Sequence, residues 1–110
     1  MPRLKLFLFG YPRIEVAEHE VAIHRRKAMS LIVYLAVTKV RHQRETLAAL
    51  FWPESDRMRA HGSLRRHISE LNGAGGHKWV DADRETVRLH QSNPFWIDVD
   101  EFQGHLRELP

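Results

Sequence analysis

The sequence predicts an α+β domain in which short alternating strands come first, three amphipathic helices follow, and a hairpin closes the unit. Three observations predict it. Apolar residues recur at every second position in two runs between residues 4 and 16, and from residue 28 they recur at i, i+3, i+4 and i+7. Alternation then returns on both sides of a polar tip at 81–85. A chain of 110 residues has room for one such domain, and 43% hydrophobic residues supply its core.

In "LKLFLF" (4–9), Leu4, Leu6 and Leu8 share one face, and Lys5, Phe7 and Phe9 the other. Gly10, Tyr11 and Pro12 signal a turn, after which "RIEV" puts Ile14 and Val16 on one side. "AEHE" is polar enough to turn, and "VAI" (21–23) is the third strand of an antiparallel meander. "RRKAMSLIVYLAV" then changes period, with Ala28, Leu31, Ile32 and Leu35 on one helical face. "RETLAALFW" repeats that spacing briefly through Leu47, Leu50 and Phe51 until Pro53 stops it.

A third helix, over residues 56–72, is capped by Ser55 or Asp56 and buries Ala60, Leu64, Ile68 and Leu71. Gly73, Gly75 and Gly76 end it. "KWVDADRETVRLH" (78–90) reads as a hairpin with Trp79 and Val80 on one strand and residues 87–89 on the other. Residues 1–96 make the domain. Residues 97–110 form a trailing helix on Phe102, Leu106 and Leu109, or a junction to a further domain. A short second helix turning into a longer basic one is a helix-turn-helix, with the hairpin as its wing.

Composition narrows the function classes. There is no cysteine for a disulfide or a thiolate metal site, and no apolar run reaches the roughly 20 residues of a membrane helix. The opening "MPRLKLFLFGYPR" has the basic-then-apolar order of a signal peptide. Its apolar stretch is short, is broken by Lys5 and lacks a small-residue cleavage site. It reads as a strand, and the protein as cytoplasmic.

None of the eight histidines forms H-x-x-x-H, and no phosphate-binding glycine loop or nucleophile elbow is present. "GAGGH" follows a helix instead of preceding one, the wrong side for cradling phosphate. Asp98 and Asp100 read as capping partners of a helix start. Trp52, Trp79 and Trp96 read as core. No enzyme activity, cofactor or metal is expected.

Charge points to a partner. The formal balance is +3, with basic residues gathered in "HRRK" (24–27), "KVRHQR" (39–44) and "RMRAHGSLRRHISEL" (57–71). With Leu64 as zero, Ala60, Ile68 and Leu71 fall within about 40°, whereas Arg66 lies about 200° away. Arg59, Gly62, Ser63 and Ser69 lie beside Arg66, and Arg65 is on the flank. Arginine and serine donate to base edges and phosphates, and glycine admits a close backbone. The plain alternative is a solvated charged helix with Gly62 relieving a packing contact.

Arg66 is the first choice for a guanine edge; Arg65, Arg59 and Arg44 are phosphate clamps. Arg84 is the wing's contact, opposed by the acids Asp81, Asp83 and Glu85. The partner is double-stranded DNA, bound as a monomer or as a pair on direct repeats. RNA polymerase is a candidate second partner. The competing reading is a protein-interaction domain whose basic face docks an acidic protein without DNA.

Together "LFG", "RRKAMSLIVYLAV", "RETLAALFWPE", "SLRRHISEL", "ETVRL" and "IDVDEF" resemble the DNA-binding domain of SARP-type bacterial transcriptional activators. The resemblance runs from Leu4 to Phe102. It implies an OmpR-like winged helix whose "SLRRHISEL" helix enters the major groove, with Ser63, Arg65 and Arg66 on matching positions. In that family a helical-repeat bacterial transcriptional activator domain usually follows, and "IDVDEF" resembles the junction into it, so this chain is expected to be either a fragment of a longer one or an isolated DNA-binding module. Two positions depart from the pattern: Gln43 stands where many relatives place a capping Ser or Thr, and Asn72 where they often carry Arg.

Overall fold

The computed structural model describes residues 4–7, 13–16, 19–73 and 78–90, together with the backbone of 95–97. They fall into two compact units. One holds the described residues up to Ala22 together with 95–97, and the other runs from Ile23 to His90.

The first unit is a four-stranded sheet in the order β3-β2-β1-β7, built from β1 (Leu4–Phe7), β2 (Arg13–Val16), β3 (His19–Val21) and β7 (Phe95–Ile97). Leu4, Leu6, Ile14 and Val16 are all buried, as their alternation requires. On the other face the Arg13 guanidinium lies 4.0 Å from the centre of the Phe7 ring.

Two expectations are corrected here. The third strand lies two residues earlier than 21–23, because Val16 pairs with His19 and Ile14 with Val21, which leaves only residues 17 and 18 to connect β2 to β3. A fourth strand, β7, lies parallel to β1 in the register Leu4↔Phe95 to Leu6↔Ile97, where no strand was expected. Of the segment 97–110, expected as a trailing helix or a junction, Ile97 belongs to β7; the rest of it, Leu8, Phe9 and the Trp96 side chain lie outside the described residues.

In the second unit, α1 (Arg26–Thr38) buries Ala28, Leu31, Ile32, Leu35 and Ala36. It ends on Lys39 in the left-handed conformation (φ 57°), whose N–H bonds the Leu35 carbonyl at 3.1 Å. α2 (Arg44–Phe51) buries Leu47 and Ala48. Leu50, expected in that stripe, is 52% exposed, and Ala48 takes its place. The chain then turns through Trp52 to Asp56 into α3 (Arg57–Gly73), which continues through Gly73. Ala60, Leu64, Ile68 and Leu71 are buried as their spacing demands. α3 packs against α1 and α2.

The closing hairpin, β5 (Val80–Ala82) and β6 (Thr86–Leu89), gains a third strand, β4 (His42–Gln43), in the order β4-β6-β5. β4 pairs His42 with Val87 and Gln43 with Thr86, so the start of α2 is held by the hairpin. Gln43 makes no capping bond with its side chain, and the Arg44 N–H bonds the Glu85 carbonyl at 2.7 Å. Trp79, Val80, Val87 and Leu89 are buried.

The phase of α3 is tested by two substitutions. Leu64→Ala empties a fully buried position and costs about 2–5 kcal/mol. Arg66→Ala, on an exposed position, leaves stability within about 0.5 kcal/mol of the parent. Urea unfolding of both variants measures the order, and the reverse order means that another face of α3 is buried.

Candidate nucleic-acid interface

α3 begins at an Asp56 cap. The Asp56 Oδ1 accepts the Arg59 N–H at 2.9 Å, and its carbonyl accepts the Ala60 N–H at 2.9 Å. Arg57 and Arg59 reach carboxylates in this region, Arg57 to Glu45 at 3.7 Å and Arg59 to Asp56 at 3.6 Å. All four side chains are well exposed, so these pairs are weak and open to exchange.

Beyond the first turn the outer face is basic. Arg65, Arg66 and Ser69 are exposed, and Gly62 and Ser63 are half-buried. Arg66 donates from Nη2 to Ser63 Oγ at 3.1 Å, and among the described residues neither Arg65 nor Arg66 has a carboxylate partner. Among the described residues, a Cβ built on Gly62 would meet only the guanidinium ends of Arg66 and Arg65, at 3.5 and 4.0 Å. Packing within the chain therefore does not require glycine there.

The one acid of the helix, Glu70, is turned away to another task. Its carboxylate accepts the backbone N–H groups of His24 and Arg25 at 3.3 and 3.2 Å, and the Arg25 guanidinium lies 3.8 Å away. Asn72 is also spoken for: its side-chain amide donates to the Val80 carbonyl at 3.1 Å and accepts the Val80 N–H at 2.8 Å, joining α3 to β5.

The hairpin acids are largely neutralised. Asp83 Oδ1 accepts the N–H groups of Glu85 and Thr86 at 2.9 and 2.7 Å, and the Thr86 hydroxyl reaches the same carboxylate. Those backbone bonds, followed by the Thr86 hydroxyl and the Arg41 charge, hold the Asp83 carboxyl below its ordinary range. Arg41 spans Asp83 at 3.4 Å and Asp81 at 3.8 Å, and Arg88 reaches Asp81 at 3.5 Å. Glu85 remains exposed beside Arg84, which is also exposed and has no partner among the described residues. Arg44, expected as a phosphate clamp, donates from Nε to the Asp83 carbonyl at 2.6 Å and so sits against the tip of the hairpin.

The chain matches no protein-family model, no curated protein and no solved structure.

The structure gathers Arg59, Ser63, Arg65, Arg66 and Ser69 on α3, and places Arg84 in the tip of the hairpin with Arg44 bonded against it. Sequence reasoning missed Arg41, whose partners lie some forty residues away, and Met58, which is 85% exposed on the outer side of α3. The helical phase offered a signal for Met58, about 120° from Leu64.

Between α2 and α3 lies a cleft of about 320 Å³ bordered by Ala48, Trp52, Ala60 and His61. The His61 Nε2 there is buried without a hydrogen-bond partner. Among the described residues no group of three or more His, Asp or Glu is placed to hold a metal ion. No helix among them is long and apolar enough to cross a membrane.

His67 was not expected in the core, yet it is 9% exposed, with its ring 4.8 Å from that of Trp52. Its Nδ1 lies 2.6 Å from the Ser63 carbonyl, which can only accept, so Nδ1 carries the proton. Burial lowers the His67 pKa from its ordinary 6.5, against the opposing pull of the Ser63 bond. The unfolded chain therefore takes up this proton at higher pH than the folded one. The contribution of His67 to stability is complete above pH 6.5 and falls as pH drops towards its folded-state pKa. Urea midpoints between pH 7.5 and 5 measure the decline, and His67→Gln flattens it; equal slopes in parent and variant contradict this account.

Proposed function

We propose that this chain binds double-stranded DNA sequence-specifically in transcription regulation, as a winged helix-turn-helix of the OmpR-like kind. In this reading α2 and α3 are the helix-turn-helix, α3 lies in the major groove, and the β5–β6 hairpin is the wing. The observation that carries it is the outer face of α3. Arg65, Arg66 and Ser69 project there without a carboxylate, because Glu70 is engaged by the backbone before α1. The resemblance of the sequence to SARP-type activators supports the same reading, with RNA polymerase as a second partner.

Each residue has its role. Arg66 reads a guanine by a bidentate contact, and Arg65, Arg59 and Ser69 hold phosphates beside it. Arg84 reaches the backbone from the wing, where Arg41 and Arg88 together offset the charge of Asp81 and Asp83 and leave Glu85 as the opposing acid. No catalytic chemistry is assigned.

The test is to select a binding site from random duplexes and compare it with a scrambled one across several salt concentrations. Arg66→Ala narrows the gap between the two sites by about 1–3 kcal/mol. Arg84→Ala weakens both alike and lowers the salt slope by about one unit. Retention of an acidic protein but of no duplex at low salt favours the protein-docking alternative.

Gly62→Ala separates a reading face from a solvated one. It gains up to about 1 kcal/mol of helix stability, since the added methyl meets no clash. On a face that meets DNA closely, the same variant binds duplex more weakly than the parent. Higher stability with unchanged affinity, measured by melts and titrations, contradicts close approach at this position.

A further inference from the structure

We infer that Met58, with the hollow over Gly62, is a reading site for the 5-methyl group of thymine. The inference rests on the proposed entry of α3 into the major groove. Met58 is 85% exposed, the most exposed of the large hydrophobic side chains among the described residues, and it stands in the first turn of an otherwise polar outer face. It borders an open hollow of about 560 Å³ with Arg57, His61, Gly62 and Arg65.

Several features point the same way. The helical phase places Met58, Gly62 and Arg65 within about 60° of one another, so the hollow and the basic side chain share one arc. Packing within the chain leaves room for a Cβ at Gly62, so the space is kept for something outside it. The arc carries positive charge and no acid from Arg57 to Ser69, which suits a polyanion.

The N-terminal residues of a major-groove helix are those that reach base edges. There guanine, adenine and cytosine present hydrogen-bonding groups, and thymine alone adds an apolar group, its methyl. An unbranched, polarisable thioether fits against a methyl without demanding one fixed geometry. Met58 thus adds recognition of a thymine to the polar contacts expected of its arginine neighbours.

The experiment uses the full chain and a duplex selected from random sequence. Each thymine of the site is replaced in turn by deoxyuridine, which removes only the 5-methyl group. At one position the parent chain binds the uracil duplex about fourfold more weakly, the worth of burying one methyl group. Met58→Ala binds thymine and uracil duplexes equally at that position, and its melting temperature matches the parent's because the side chain is exposed.

A bound duplex with no uracil penalty anywhere overturns this inference and leaves the DNA reading standing. So does a penalty that Met58→Ala retains. A selection that enriches no duplex overturns the DNA reading and this inference together.

Discussion

The Glu70 carboxylate accepts the N–H groups of His24 and Arg25, and the placement of α3 depends on that interaction. α1 has no side-chain cap of its own at Arg25, and its first turn carries no acid. A carboxylate from α3 provides acceptors just before the helix and puts negative charge near its positive end. The Glu70 side chain is only 15% exposed, while the backbone groups that it receives lie at the surface. This anchor acts together with the buried stripe of Ala60, Leu64, Ile68 and Leu71, and the two hold the same rotation of the helix. Once that rotation is set, Arg65, Arg66 and Ser69 have nowhere to go but outward.

A second set of interactions does for the hairpin what Glu70 does for α3. Arg41 lies two residues after the left-handed Lys39, and its guanidinium joins Asp81 and Asp83. Arg44 bonds the Asp83 carbonyl from the start of α2. The hairpin is thereby tied to the segment between α1 and α2, and two of its three acids are satisfied internally. A tip that looks self-defeating as a list of charges, with Arg84 among Asp81, Asp83 and Glu85, becomes one in which, among the described residues, Arg84 is unpaired and Glu85 is the one acid without an arginine partner.

Much of this was legible in the residues because it follows from period. Ala28, Leu31, Ile32 and Leu35, and again Ala60, Leu64, Ile68 and Leu71, are helical stripes that a buried face requires, and the outward placement of Arg66 follows by rotation. The elements that escaped notice are those whose cause lies far along the chain. β4 and β7 are two and three residues long, too short to show alternation, and their partners are β6 and β1. β3 was displaced because His19 and Glu20, exposed residues of an edge strand, carry no apolar signal. His67 lies about 60° from Leu64, on the margin of the stripe, where its polar type concealed its burial. Leu50 erred the other way: an eight-residue helix has a narrow inner side, filled here by Leu47 and Ala48.

The central claim is that one face of this chain, the outer side of α3 with the tip of the hairpin, meets duplex DNA. Titrating a selected duplex into the isotopically labelled chain and following amide and arginine Nε resonances by NMR tests it most directly. The account predicts that shifts concentrate at Met58, Arg59, Gly62, Ser63, Arg65, Arg66 and Ser69, and at Arg84, while the buried His67 and the Glu70-anchored Arg25 stay near their starting positions. Shifts confined to other surfaces, or none at a duplex excess in low salt, would contradict it.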